Sequence, residues 1–300
     1  MRLDTANTAL VLDTASDLEA GTCRNPNWRV VPLRLSFGDE TYRDHVDLTT
    51  AELYRRLRET DDVPLTSVPA PAEFTAVYDE LGDYDRVFGV HVSSKLSGTY
   101  NSATVAAEET DGRVVTIDTA VVSGTIVLLG DAIQRRLERG TSDDEVASLV
   151  DRFRRDARFV YTLETLKYLA RGGRIGRAQA LAGGLLNTRP LIGVRDGVNV
   201  PVRRVRGRAQ SLAALEHLFV EETEDAETLR FGVSHADAPA EAAALVERLQ
   251  GLRPRAICDL VVEIAPALGA HLGPGALGVF WFDDSDTAPT AMAVPDTSGI

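Results

Sequence analysis

Residues 86–103 read RVFGVHVSSKLSGTYNSA. The first seven form a short apolar run rich in valine, the pattern of a strand buried on both faces. A polar Ser/Gly turn, SSKLSGTY, follows, and then the Ala-rich NSATVAAEE of a helix. A strand that passes into a helix through such a turn is the repeating unit of parallel α/β sheets. In that architecture functional loops lie beyond the carboxyl ends of the strands.

Working outward, the same alternation continues. Strands are expected at residues 8–12 (TALVL), 29–37 (RVVPLRLSF) and 113–117 (RVVTI). Helices are expected at 50–59 behind an N-cap at Thr49, in AEFTAVYDEL with Pro71 in the first turn, and at 126–137. Ser142 and Glu145 spell a capping box for the helix DEVASLVDRFRRD. Beyond residue 158 the texture changes to short strands, glycine pairs and a hairpin turn at Asp196–Gly197. Strands at 229–234 and 257–264 flank a helix at 239–249, and HLGPGALGVFWF enters a last strand. The fold class is therefore α/β with two α/β domains. An N-terminal three-layer domain with a mainly parallel sheet spans residues 1–157, and a C-terminal mixed-sheet domain spans 158–283. The acidic tail, 284–300, is expected to be disordered.

The chain carries a formal net charge of −13, and only Lys95 and Lys167 among its 32 basic residues are lysines. Such a surface argues against general nucleic-acid binding, which needs cations to neutralise phosphates, and suggests adaptation to high salt, where self-repulsion is screened. No apolar run suggests an integral membrane segment, and no signal-peptide pattern opens the chain; a cytoplasmic location is expected. Cys23 and Cys258 have no metal or redox spacing, and the five histidines form no HExxH-like pair. No metal, cofactor or catalytic residue is expected.

Candidate site residues gather in the loops. Ser93, Ser94, Ser97 and Gly98 lie where a strand meets a helix N-terminus, whose free N–H groups and partial positive charge attract anions. Ser97 could equally be a plain helix cap. A serine nucleophile is disfavoured because the turn lacks G-x-S-x-G, and no GxxxxGK[ST] loop is present for nucleotide phosphates. Thr66 sits in VPLTSVPAPAEF, a segment stiffened by Pro64, Pro69 and Pro71; an ordinary loop fits it as well. His271 lies in a Gly/Pro turn, either as a structural hydrogen-bonder or in a functional role. Arg174 and Arg206 belong to basic islands, which are solvated surface or a landing place for an anionic partner. The Ala/Gly/Leu-rich stretch 178–191 could leave room for a chain between helices, or be core.

Taken together, eight stretches in order resemble the DegV family, whose members include the fatty-acid-binding subunits of bacterial fatty acid kinase. They are LDTASDL (12–18), VPLRLSFGDETYRDHVDLT (31–49), TSVPAPAEF (66–74), HVSSKLSGTYNSA (91–103), TLKYLARGGRIGRAQALAGGLLN (165–187), RRVRGR (203–208), SHADAP (234–239) and HLGPGALG (271–278). The resemblance implies a lipid carrier without catalysis of its own, in which two domains clasp a long-chain fatty acid or similar acyl ligand. It places the carboxylate on Thr66 and Ser97, with Ser93, Ser94 and Gly98 adjacent, and gives Arg174, Arg206 and His271 supporting or partner-facing roles. It implies as partner a separate ATP-dependent kinase subunit that phosphorylates the presented carboxylate. The alternatives are a Ser-dependent acyl hydrolase or a phosphotransfer component related to dihydroxyacetone kinase. Two motifs depart from the family: the usual TDSTADL form reads LDTASDL, and TSQPS reads TSVPA.

Overall fold

The computed structural model describes residues 1–21, 24–60, 62–181 and 189–285. Cys23, residues 182–188 of the Ala/Gly/Leu-rich stretch and the tail from 286 onward lie outside the described residues. The chain begins with β1 (Thr8–Asp13), β2 (Trp28–Val31), β3 (Arg34–Phe37), β4 (Glu40–Arg43), α1 (Thr50–Glu59), β5 (Leu65–Ser67) and α2 (Pro71–Glu80). It continues with β6 (Arg86–His91), α3 (Thr99–Ala107), β7 (Val114–Asp118), α4 (Thr125–Arg139) and α5 (Asp143–Asp156). Then come β8 (Arg158–Thr162), α6 (Lys167–Arg171), β9 (Leu191–Arg195), β10 (Val198–Arg203) and α7 (Arg208–Glu222). Last are β11 (Leu229–His235), α8 (Pro239–Leu252), β12 (Ile257–Glu263), α9 (Pro266–Leu272) and β13 (Leu277–Asp283).

These strands make a four-stranded parallel sheet in the order β2-β1-β6-β7 and a six-stranded mixed sheet, β10-β9-β8-β13-β11-β12. The α/β class and the mainly parallel first sheet match the sequence reading. A third sheet, β4-β3-β5, is antiparallel and small. The apolar run 29–37 reads as one strand, and the structure splits it. Pro32 has no N–H to give to a ladder, so β2 ends at Val31 and β3 starts a different sheet.

α2 and α3 cover one face of the parallel sheet, and α4 packs on its other face. α4 and α5 also pack against the six-stranded sheet, whose far face is covered by α7 and α8. Two sheets thus share a central helical layer. One apolar cluster runs through that layer, joining Leu10 and Trp28 to Ile126, Phe153, Phe159 and Phe280. Phe153 meets Phe282 edge-on with centroids 4.9 Å apart, and truncation of such a buried ring costs about 3–5 kcal/mol.

Local signals explain the boundaries. Thr49 caps α1, accepting from Glu52 N, and Ser142 and Glu145 form the expected capping box of α5. The β9–β10 hairpin turns through Asp196 (φ 50°) and Gly197 (φ 79°), the pairing that Asp-Gly favours. Among the described residues no helix is long and apolar enough to cross a membrane.

Candidate functional site

Five short segments deliver polar side chains to one cavity. β5 is only three residues long, yet its pairing with β3 sets Thr66 opposite Leu35 and fixes the strand. α9 packs on β3 and β5 and brings His271 to Thr66: its Nε2 lies 2.9 Å from Thr66 Oγ1. Ser97 ends the turn after β6, where its own amide donates to Ser93 O at 3.0 Å. Arg174 follows α6, its backbone held by Leu169 O and by the Asn199 side-chain amide, which donates to Arg174 O at 2.7 Å.

Thr66, Ser97, Arg174, Asn199 and His271 are the polar lining of this cavity. Its walls are otherwise apolar: Leu33, Val92 and Val122 from the first half, Phe159, Tyr161 and Leu169 from the second, and Leu268 and Leu272 from α9. Its free space is about 570 Å³ with the open mouth included.

The glycines of RGGRIG have a steric reason. A side-chain carbon on Gly172 would fall 2.0 Å from His271 Nδ1, so only glycine lets the imidazole lie against this loop. His271 is pushed down to about 4 by burial and, secondarily, by the nearby Arg174 charge. The ring is therefore neutral at pH 7, and its Nδ1 is buried without a hydrogen-bond partner among the described residues. Assigning the ring proton to Nε2 makes His271 the donor and Thr66 Oγ1 the acceptor. The Thr66 hydroxyl proton is then free for a ligand in the cavity. Arg174 is aimed by its Nε to Leu96 O at 3.1 Å and its Nη1 to Gly172 O at 2.7 Å.

The remaining candidates separate. Ser93 is fully buried and lies outside the cavity: its hydroxyl donates to Gly197 O at 2.9 Å, pinning the β9–β10 hairpin tip to this turn. Ser94 donates to Asp118 Oδ2 at 2.5 Å and, with Gly98, lines an adjoining polar pocket that shares Ser97 and Arg174. Ser97 is not the plain cap considered from sequence, for Gly98 occupies the N-cap position of α3. The Ser97 hydroxyl accepts from Thr99 N at 3.3 Å and also lies 2.8 Å from Thr99 Oγ1. Arg206 is exposed and lies outside the cavity. Among the described residues no group of three or more His, Cys, Asp or Glu could hold a metal ion.

Sequence reasoning missed Asn199 and Tyr161, whose hydroxyl donates to Asn199 Oδ1 at 2.9 Å. An asparagine alternating with valines in VNVPV was the available signal. It also did not foresee the work of the DTASDL loop. Asp17 Oδ1 accepts from Ala265 N at 2.9 Å and Asp44 Oδ2 from Ala267 N at 3.2 Å, so two buried acids hold the start of α9. Thr14 and Ser123 donate hydroxyls to Asp44 and Asp17 respectively. Burial nevertheless raises both carboxyls to about 7. A third acid, Asp13, faces His91 Nδ1 at 3.0 Å, where β1 and β6 end side by side.

A family model described as "Uncharacterised protein, DegV family" matches residues 7–284. The chain belongs to the DegV family. A DegV family protein from Thermus thermophilus, described by its fatty acid binding, superposes with a TM-score of 0.86 at 33% identity, over 92% of this chain and 99% of that one. A stearic-acid-binding protein from Eubacterium ventriosum gives 0.85 at 26% identity, over 92% and 98%. A fatty acid-binding protein of Thermotoga maritima is 34% identical over 231 residues, covering 75% of this chain and 79% of the relative. DegV relatives are thus described as binding fatty acids, on the same fold.

Proposed function

We propose that this DegV protein binds a long-chain fatty acid, its carboxylate on Thr66, Ser97 and Arg174 and its chain in the apolar cavity. The observation that carries this reading is the convergence of five segments, distant in sequence, to place hydroxyls, an amide, an imidazole and one guanidinium among apolar walls. Burying about 15 methylenes contributes a gross gain on the order of 12 kcal/mol, reduced by ordering costs. The carboxylate is costly to bury unless charge-assisted hydrogen bonds replace its water. Thr66, oriented by His271, and Arg174, aimed by two carbonyls, meet that need. Ser94 and Gly98 flank the head group from the adjoining pocket, and Ser93 holds the turn.

The protein serves as a carrier that presents the carboxylate to a separate ATP-dependent kinase, with Arg206 on the partner-facing surface. A groove outside the cavity mouth, lined by Phe37, Leu65 and Arg171 and sharing Thr66, Arg174 and His271, supports this by leading from solvent to the head group. The hydrolase alternative finds little support. Although His271 lies within reach of the Thr66 hydroxyl, a ring that protonates only near 4 is a weak base, and among the described residues no acid meets its Nδ1 to orient it as in a catalytic histidine.

Native mass spectrometry of protein purified without detergent tests the function. A copurified mass matching a fatty acid is expected. Empty protein that hydrolyses acyl esters would reverse the reading.

A further inference from the structure

The inward position of a strand ordinarily takes an apolar side chain, and asparagine is mostly found exposed. β10, VNVPVR, lies at the edge of the six-stranded sheet and turns Asn199 inward, 4% exposed, while its other five residues stay partly or fully exposed. An amide there is costly unless both of its ends are bonded. Both are. Tyr161 Oη donates to Asn199 Oδ1 at 2.9 Å, and Asn199 Nδ2 donates to Arg174 O at 2.7 Å. Only one orientation of the amide satisfies both partners, so the Tyr161 hydroxyl fixes the end that faces Arg174.

The peptide held in this way has few other restraints. Arg174 lies between Gly173 (φ 67°) and Gly176 (φ 53°), where the backbone is intrinsically free. Its N–H donates to Leu169 O at 3.0 Å, and among the described residues no side chain other than Asn199 bonds to the Arg174 peptide. Gly176 lies directly on the same strand residue, for a side-chain carbon there would fall 2.8 Å from Asn199 O. The hairpin tip just before Asn199 is keyed to the turn that carries Ser97: Ser93 Oγ donates to Gly197 O at 2.9 Å and Lys95 Nζ to Asp196 O at 2.8 Å. Residues 196–199 therefore touch both the Ser97 turn and the Arg174 loop, two segments far apart in the chain.

We infer that Asn199 is a positioning residue for head-group recognition, setting the Arg174 guanidinium relative to Ser97 through the Arg174 peptide, with Tyr161 locking the amide. The inference rests on the fatty-acid reading, in which Arg174 receives the carboxylate. The bonds from Arg174 Nε to Leu96 O and from Nη1 to Gly172 O aim the guanidinium only while its backbone is in place. Released from Asn199, a loop with glycine on both sides gains other backbone states. The apparent affinity then falls in proportion to the competent fraction. That loss falls on a charged head, which needs Arg174, and spares the chain, which needs only the apolar walls.

The test measures binding of hexadecanoate and of hexadecan-1-ol, which has the same chain and a neutral head, to wild type, Asn199→Leu, Tyr161→Phe, Arg174→Ala and Asn199→Leu/Arg174→Ala. Asn199→Leu should weaken hexadecanoate about tenfold and leave hexadecan-1-ol within about twofold. In the Arg174→Ala background the same change should cost hexadecanoate less than about twofold, since the group it positions is gone. Tyr161→Phe removes one hydroxyl without changing the shape of the wall. It should weaken hexadecanoate about threefold and spare the alcohol, and it carries the test by itself if Asn199→Leu does not fold. Equal losses for acid and alcohol overturn the positioning role, as do additive losses in the double variant or unchanged hexadecanoate affinity in the single ones. Wild type that takes up neither hexadecanoate nor hexadecan-1-ol overturns the fatty-acid reading as well.

Discussion

Thr66 and His271 lie 205 residues apart in the chain and meet at 2.9 Å, Oγ1 to Nε2, at the boundary of an apolar cavity. The contact gives a hydroxyl on a three-residue strand a defined direction. With the ring proton on Nε2, the neutral imidazole donates to Thr66 and leaves the Thr66 hydroxyl proton for a ligand. In the proposed fatty-acid complex the rest of the wall supplies hydrophobic burial, and this pair, with Ser97 and Arg174, receives the carboxylate.

Gly172→Ala tests how closely that ring is confined. Gly172 has an ordinary right-handed backbone, so the substitution introduces no backbone strain and acts by displacing His271. Fatty-acid affinity should fall about tenfold, comparable with His271→Ala. In a His271→Ala background the same change should cost little further, because the clashing partner is gone. Independent, additive losses in a fluorescent-acid displacement assay would refute the coupling.

The buried acids at the start of α9 predict a pH dependence opposite to that of ordinary carboxylates. Asp17 and Asp44 keep their protons to about 7 when folded and lose them near 3.8 when unfolded. Their stabilising contribution is complete below the unfolded value and is lost as pH rises through about 7. Asp44→Asn keeps the shape and removes one titration. Its melting temperature should decline less than that of wild type between pH 5 and 8. An identical decline would mean that Asp44 is ionised throughout.

Much of this was legible before any coordinates. The β6 to α3 turn, the capping box of α5 and the Asp-Gly hairpin announce themselves because their signals are local. The β3–β4–β5 sheet does not, since strands of three or four residues are too short to show alternation. From sequence, Thr66 therefore reads as a loop residue stiffened by prolines. Its pairing with His271 left no trace in the sequence, because nothing local to either residue encodes a contact across 205 positions. Ser93 illustrates the reverse limit: three serines in one turn look equivalent, and only the arrival of Gly197 separates the one that ties the hairpin from the one that faces the cavity.

Arg206→Ala separates binding from presentation. The side chain is exposed and outside the cavity, so hexadecanoate affinity should stay within about twofold. Acyl phosphate formation with an added ATP-dependent kinase partner should fall several-fold. Parallel loss of both would remove Arg206 from the partner-facing surface.

The most direct measurement is a titration of hexadecanoate into wild type and a Thr66→Ala/Ser97→Ala double variant, with melting temperature recorded alongside. Two hydrogen bonds to a charged group predict a loss of roughly a hundredfold or more in affinity, with the fold intact. Unchanged affinity in a folded double variant would show that the head group is held elsewhere.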